Sequence, residues 1–276
     1  KRYHLGYFFS DEWMTYSPSI SQKYRETVCT AGLLLDKEFK PSSWIRIYPI
    51  RYRNLDNDKR FQKWTIISAK IERNDKDHRY ESYRIDDSSI DIIRLIDYKH
   101  DAWQERRDYL LPFQARSTAE IRKSGKSLGL IKPKQVKRSL SRADGRDWSP
   151  KQQAVLDQKD LLEPERDFKD LEKIPYKFFY EFIEEDNTRH KYSIIDWEIY
   201  QLYRNCRNRA QSNGEQDTEK IAVQKVMKKL DYLAYEKDLY LIIGSIKNHP
   251  QNFVVIGQFS PPIIEYNQLS LLGGQI

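Results

Sequence analysis

One short stretch constrains the fold of this chain more than any other. Residues 44–53, WIRIYPIRYR, alternate apolar residues with basic or aromatic ones until Pro49 interrupts the pattern. Successive side chains of a β-strand point to opposite faces, so Ile45 and Ile47 share one face. The opposite face carries Trp44, Arg46 and Tyr48. The pattern therefore predicts a strand with one core face and one face of cations and rings.

A face of this kind has two interpretations. Proteins that hold a nucleic-acid backbone use Arg or Lys for the phosphates and aromatic rings to stack the bases. Under this hypothesis the binding residues are Trp44, Arg46, Tyr48, Arg51 and Arg53. The alternative is an ordinary half-buried strand whose arginines extend their charged ends into solvent.

Further strands are predicted on both sides of this stretch. Residues 26–35 and 61–72 are rich in β-branched and apolar residues and are bounded by polar turns. With residues 44–53 they predict a small antiparallel sheet or barrel. A helical spacing follows over residues 100–111 and ends at Pro112.

The second half of the chain predicts another set of strands. Residues 176–183 and 189–195 have the pattern of a hairpin, and Asp196 is suited to cap a following helix. The remaining predicted elements are a strand at 127–131, helices at 197–209 and 219–233, and closing strands at 238–246 and 252–259.

Composition limits the class of protein. Of the 276 residues, 39% are hydrophobic and 13% aromatic, which is ample for a packed core. No apolar run approaches the roughly 20 residues of a membrane helix, so no membrane partner is expected. There is no signal-peptide pattern, and whether a segment before Lys1 has been removed is an open question. Cys29 and Cys206 lack CxxC spacing, which argues against a disulfide framework or structural zinc and favours a reducing, cytoplasmic setting.

Charge is distributed unevenly along the chain. The net charge is +7, and residues 121–142 contain eight basic residues and no acidic one, whereas residues 143–200 hold fifteen acidic against nine basic. Clustered cations favour binding to polyanions. The expected phosphate contacts are Lys126, Lys132, Lys134, Lys137 and Arg138. The alternative is a solvated charged loop.

Several short motifs together resemble a known family. They are VCTAG at 28–32, WIR at 44–46, the strand at 64–71 with Glu81-Ser82-Tyr83 after it, SLGLI at 127–131, the hairpin at 177–195 with Asp196 after it, and the closing pair at 239–246 and 253–259. With these marks the chain resembles the dual-OB (DuOB) proteins, a bacterial family tied to nucleic acids and to DNA-modification and defence loci. The helices at 197–209 and 219–233 depart from that family as insertions.

The resemblance implies a β-rich α+β fold of two OB-like antiparallel β-barrels with helical insertions. The expected domains are a first barrel over residues 1–142, an acidic connector over 143–173, a second barrel over 174–266 and a tail over 267–276. The implied function is binding of DNA or RNA by a recognition or accessory subunit, with a role in DNA modification or anti-phage defence and with no cofactor.

A catalytic alternative rests on one cluster. The sequence has no Gly-rich phosphate loop, HExxH or GxSxG motif, but His190, Asp196 and Glu198 lie close together in HKYSIIDWE. Such groups could bind Mg²⁺ or Mn²⁺ in a metal-dependent nuclease or nucleic-acid-modifying enzyme, with Lys177 or Lys191 as the accompanying lysine. The competing interpretation makes Asp196 a helix cap, Glu198 a first-turn anion and His190 a hairpin residue.

Two weaker hypotheses complete the set. Cys29 as a nucleophile has no adjacent group that would lower the pKa of its thiol. An interaction scaffold would use the acidic connector and the paired helices to bind another protein in a larger complex. Nucleic-acid binding remains the leading prediction.

Overall fold

The first five strands form a closed barrel. The structure, a computed structural model, describes residues 2–11, 28–50, 55–99, 101–148, 150, 173–247 and 249–264. The strands are β1 (Arg2–Asp11), β2 (Val28–Leu35), β3 (Pro41–Ile50), β4 (Thr65–Arg73) and β5 (Ser82–Leu95). They close in the order β1-β2-β3-β5-β4, with β3 and β5 parallel and the other pairs antiparallel.

The interior of this barrel follows the predicted alternation. Ile45 and Ile47 of β3 point inward and pack in one buried cluster with Leu5, Ile67 and Ile71. Trp44 belongs to a different cluster outside the barrel. The division of residues 44–47 into two faces is therefore confirmed.

The rest of the described chain builds a second sheet and its helices. The strands are β6 (Gln114–Ala115), β7 (Leu128–Ile131), β8 (Gln135–Ala143), β9 (Tyr176–Ile183), β10 (Arg189–Ile194), β11 (Tyr240–Ile246) and β12 (His249–Phe259). The helices are α1 (Gln104–Leu110), α2 (Thr118–Lys123), α3 (Trp197–Ser212) and α4 (Thr218–Tyr235). Within the described ranges, none of these helices is long and apolar enough to cross a membrane.

The fold is β-rich α+β as expected, but the second strand set differs from the predicted closed barrel. Its strand order is β6-β7-β11-β12-β10-β9-β8, so β6 and β8 are edges. The predicted boundary at residue 142 is also wrong, because β7 pairs with β11 and β8 pairs with β9. Sequence pattern identifies a strand without identifying its partner. Most of the expected connector, and the whole tail at 267–276, lie outside the described residues.

The two faces of the second sheet have different neighbours. On the inner face, Phe178, Tyr180 and Phe182 of β9 pack in one core with Tyr200 and Tyr203 of α3. On the outer face, the strands β7, β11 and β12 contribute to a core shared with the barrel. Burial of these apolar surfaces supplies most of the stabilisation between the two parts.

A buried polar bridge accompanies this shared core. The Glu81 carboxylate, before β5, accepts hydrogen bonds from the Ser127 backbone N–H at 2.7 Å and from its hydroxyl at 3.0 Å, before β7. The Arg46 backbone N–H donates to the Glu81 carbonyl at 2.8 Å. Because Glu81 and Ser127 are both buried, their polar groups form hydrogen bonds with each other in place of water.

Removing the bridge should weaken the fold. We expect Glu81→Ala to lower the free energy of unfolding by about 2–3 kcal/mol, because two buried donors of Ser127 lose their acceptor. Chemical denaturation measures this change. Glu72→Ala on β4, an exposed position of the same residue type, should stay within about 0.5 kcal/mol of wild type. Equal effects of the two variants would contradict a structural role for the bridge.

Candidate functional site

The first predicted binding face is not available to a ligand. Trp44 is 5% exposed and Arg46 4% exposed, and the Arg46 guanidinium lies against the Ser127 carbonyl and Gly244 of β11. The prediction that these two side chains form an exposed surface is therefore wrong. Tyr48 is half-buried. The other two predicted residues, Arg51 and Arg53, lie outside the described residues.

The second predicted set is divided by local partners. The Lys132 ammonium pairs with Asp238 at 2.6 Å and lies 5.0 Å from the Tyr240 ring. The other residues of this set are exposed: Lys126 and Lys137, then Lys134 bonded to Asn187 Oδ1 at 2.7 Å, and Arg138 paired with Glu181 at 2.8 Å. The five residues therefore do not form one continuous strip of cations without polar partners.

The predicted metal cluster is also separated by its partners. His190 Nε2 lies 3.1 Å from the Glu184 carboxylate, whereas Asp196 and Glu198 face Lys63 of the barrel. Across the part of the chain that the structure describes, no group of three His, Cys, Asp or Glu residues is arranged to hold a metal ion. The interpretation of Asp196 as the cap of α3 is confirmed, since its carboxylate accepts from the Glu198 N–H at 3.0 Å.

The structure brings together a different set of cations. The register of β8, β9 and β10 places eleven side chains on the outer face of this half of the sheet, and none of them is buried. This basic sheet face consists of Gln135, Arg138, Leu140, Arg142, Lys177, Phe179, Glu181, Ile183, Arg189, Lys191 and Ser193. Five of its members are basic and one is acidic.

A ring lies at the centre of the basic sheet face. The Arg142 guanidinium is 5.5 Å and the Lys191 ammonium 5.2 Å from the centre of the Phe179 ring. Two other cations are neutralised, Arg138 by Glu181 and Lys177 by Asp144 at 2.7 Å. Arg142 and Lys191 have no carboxylate partner among the described residues. A half-buried ring between two such cations suits stacking of a base with phosphates on either side.

Sequence reasoning missed most of this face for a definite reason. Arg142 and Phe179 are distant in sequence, and only the pairing of β8 with β9 makes them neighbours. The signal was present in the alternation of residues 176–183, where buried Phe178, Tyr180 and Phe182 leave the intervening residues on the opposite face.

A second feature lies where the barrel meets α3. A pocket of about 1000 Å³ is lined by the end of the 61–64 turn, by Trp103 and Arg106, by the first turns of α3 and by Gln258 of β12. We call it the junction pocket. Lys63 reaches across it from the barrel, 2.7 Å from Glu198 and 4.0 Å from Asp196.

The ionisable groups of the junction pocket are perturbed. Burial raises the pKa of the Asp196 carboxyl to about 6, and the Lys63 charge offsets only part of this shift. Burial alone would lower the pKa of the Lys63 ammonium, but Asp196 and Glu198 outweigh it and raise that pKa. Burial also lowers the pKa of the Arg106 guanidinium to about 10. Clefts with perturbed groups of this kind are candidate functional sites.

Comparison with known proteins identifies a family for the chain but assigns it no function. Residues 113–273 match a family described as a domain of unknown function (DUF8757), and this match covers more than half of the chain. The chain belongs to the DUF8757 family. Residues 13–112 match a second family, described as a domain of unknown function (DUF8758). No curated protein matches the chain.

The family boundaries agree with the sheet topology. The DUF8757 region begins at Phe113, immediately before β6, so all seven strands of the second sheet lie inside it. Both the basic sheet face and the α3 side of the junction pocket belong to this region. The barrel side of the pocket, with Lys63 and Arg106, belongs to the DUF8758 match.

The Asp196 carboxyl of the DUF8757 region should make stability depend on pH. Because its folded pKa lies above that of an unfolded Asp, its stabilising contribution is full below the unfolded pKa and is lost as the pH rises through about 6. Between pH 8 and pH 5, wild type should gain about 1 kcal/mol relative to Asp196→Asn, which cannot titrate. Urea unfolding at both pH values measures this difference, and parallel pH profiles would show that the carboxyl is not perturbed.

Proposed function

We propose that this chain is a nucleic-acid-binding protein that holds a single strand of DNA or RNA on the basic sheet face. The observation that carries the proposal is Phe179 between Arg142 and Lys191 on a sheet face that has no buried member among the described residues. Stacking on a ring and ion pairing with phosphates are together the usual means of binding single strands. The proposed role is that of a recognition or accessory subunit.

The strand pairing supports an OB-like assignment of the first half. An OB-fold is a five-stranded Greek-key barrel that binds ligands across its second and third strands. The closed order β1-β2-β3-β5-β4, with a parallel β3–β5 pair, is compatible with that arrangement. In this chain, however, the outer sides of β2 and β3 pack on the second sheet through Ala31, Leu33 and Trp44.

The second sheet repeats the same pairing with one interruption. β9 pairs with β10, β10 runs parallel to β12, and β12 pairs with β11. In the barrel, β1 pairs with both β2 and β4. In the second sheet these two pairings are divided, since β8 pairs with β9 and β7 pairs with β11, so β7 and β8 together correspond to β1. Only residues 132–134 join them, and four Cα steps from Ile131 to Gln135 span at most about 14 Å, which requires a strongly curved sheet.

This correspondence relates the basic sheet face to the ligand-binding side of an OB-fold. If β7 and β8 are the first strand of an OB-like unit, then β9 and β10 are the second and third, which form the ligand-binding side of the OB-fold. Phe179 and Lys191 lie on those two strands. The proposed site therefore lies where an OB-like unit binds its ligand, but in the second half rather than at Trp44 and Arg46.

The same correspondence supports the resemblance to the dual-OB proteins. That resemblance favours a role in DNA modification or anti-phage defence in a reducing, cytoplasmic compartment. The two cysteines, Cys29 and Cys206, without the spacing of a disulfide framework, are consistent with such a compartment.

The cations of the face should govern salt dependence. We expect the double variant Arg142→Gln/Lys191→Gln to weaken binding of a labelled single strand. It should also reduce the slope of log K against log salt by about 0.7 for each phosphate that the variant no longer neutralises. Fluorescence anisotropy across a salt series measures the slope.

A matched control removes two cations elsewhere. Lys225→Gln/Lys228→Gln changes two exposed lysines of α4, which packs against the opposite side of the sheet. This variant should leave the slope close to that of wild type. Equal losses from both double variants would indicate a general charge effect and reject the proposed face, as would no binding by wild type.

The central ring should contribute separately from charge. Phe179→Leu retains apolar bulk but removes the aromatic plane, and we expect it to lower affinity about tenfold at constant salt with the slope unchanged. Phe179→Tyr retains the plane and should bind within about threefold of wild type. Anisotropy titrations of the same labelled strand test both, and loss of affinity in neither variant would exclude stacking on this residue.

A further inference from the structure

The junction pocket is built from both halves of the chain and lies apart from the basic sheet face. Its volume of about 1000 Å³ matches the clefts that bind small ligands of nucleotide size. Its floor and walls include apolar Ile256, Leu202 and Leu233, so a bound ligand would bury apolar as well as polar surface.

Aromatic rings dominate one part of the wall. Phe61 and Trp64 are buried, whereas Trp103 and Trp197 are half-buried and so present ring surface to the cavity. Indole rings in the wall of a cavity favour planar ligands, because flat rings offer large contact area and stack on them in an offset arrangement. A heteroaromatic base has this shape.

The rim of the pocket carries amide groups. Gln62, Gln201 and Asn205 line it, and Gln201 Nε2 donates to Asn205 Oδ1 at 3.0 Å. Carboxamides offer a donor and an acceptor on one planar group, which is the pattern needed to bind the edge of a base. The side-chain carbonyl of Gln258 accepts from the Tyr180 hydroxyl at 2.9 Å and is held in place by it.

The pocket also contains a cation suited to an anionic ligand. Arg106 is 6% exposed, and its guanidinium lies 4.5 Å from the Trp64 ring, 4.9 Å from the Tyr98 ring and 5.2 Å from the Trp103 ring. Its hydrogen bonds go to the Ile96 carbonyl, and no carboxylate among the described residues lies within ion-pair distance. The carboxylates of Asp97, Glu198 and Glu105 act on this charge from beyond ion-pair distance. Buried charges are usually paired directly, so an anion at this position would supply a direct partner.

Backbone strain is concentrated at the same place. Trp64, Ala102 and Trp103 have φ of 68°, 49° and 68°, in the left-handed region that non-glycine residues seldom adopt. Such conformations cost of the order of 1–3 kcal/mol each and are typical of ligand-binding sites. Here the strained backbone positions two of the rings that contact Arg106.

We infer that the junction pocket binds a single nucleotide, with the base against Trp103 and Trp197 and the phosphate towards Arg106 and the exposed Lys229 at the rim. Two sources share this chemistry, a free mononucleotide and the 5′-phosphorylated end of a strand. Only the second rests on the proposed function. β10 leads from the basic sheet face to the pocket, since Asp196 follows Lys191 by five residues, or about 16 Å of extended chain.

Calorimetric titration of the whole chain tests the inference. The probes are the four nucleoside 5′-monophosphates, the corresponding nucleosides, inorganic phosphate, and single strands with or without a 5′-phosphate. We expect saturable binding of at least one monophosphate, and weaker binding of its nucleoside and of phosphate alone. No saturable binding of any monophosphate at millimolar concentration overturns the inference.

Variants at the rim separate the pocket from the sheet face. Lys229→Glu and Trp197→Ala should each lower monophosphate affinity at least tenfold, while Arg142→Gln/Lys191→Gln should leave it within twofold. Lys228→Glu, an exposed neighbour of Lys229 that does not line the pocket, is the matched control. Equal loss in Lys228→Glu and Lys229→Glu, or no loss in either pocket variant, rejects the assignment.

The strand probes distinguish the two sources. Tighter binding of the 5′-phosphorylated strand, abolished in Lys229→Glu, supports a strand end in the pocket. Monophosphate binding without any strand binding would support the pocket while rejecting the proposed function. Strand binding that is indifferent to the 5′-phosphate, in a protein that binds no monophosphate, would support the sheet face alone and reject the pocket.

Discussion

The arrangement of this protein depends on the packing of the barrel against the outer face of β7, β11 and β12. The shared core joins Leu33 and Trp44 of the barrel to Leu128, Ile242 and Phe259 of the second sheet. Apolar contact of this kind has no direction of its own, so it does not by itself determine how the two surfaces are aligned. The buried hydrogen bonds between Glu81 and Ser127 supply that direction, because a misaligned interface would leave their polar groups buried without partners.

This packing determines which surfaces are left for a ligand. It covers the outer sides of β2 and β3, and with them Arg46, whose guanidinium contacts the second sheet instead of solvent. Among the described residues, the barrel does not cover the outer sides of β8, β9 and β10, because the core that it shares with the second sheet draws on β7, β11 and β12. Two surfaces of similar composition, cations beside rings, therefore have different roles, one as an internal contact and one as the proposed binding face.

The sequence predicted local structure better than it predicted neighbours. The alternation of residues 44–47 correctly separates Ile45 from Trp44, and the helices expected at 197–209 and 219–233 occur with slightly longer bounds. Periodicity reports which side chains share a face, but it contains no information on what covers that face, so the burial of Arg46 could not be predicted. The same limit explains why Lys63, Arg106 and Asp196 were not expected to share a pocket: they meet only through tertiary packing.

The junction pocket follows from the same packing and should in turn affect it. Its walls come from the barrel on one side and from α3, α4 and β12 on the other, so the pocket exists only while the two parts are joined. A ligand that binds the joined state and not the separated one stabilises it by RT ln(1 + [L]/Kd), or about 3 kcal/mol at a hundredfold excess over Kd. That is comparable with the contribution expected from the Glu81 bridge. A ligand in the pocket would therefore stabilise the interface that covers the β2–β3 surface.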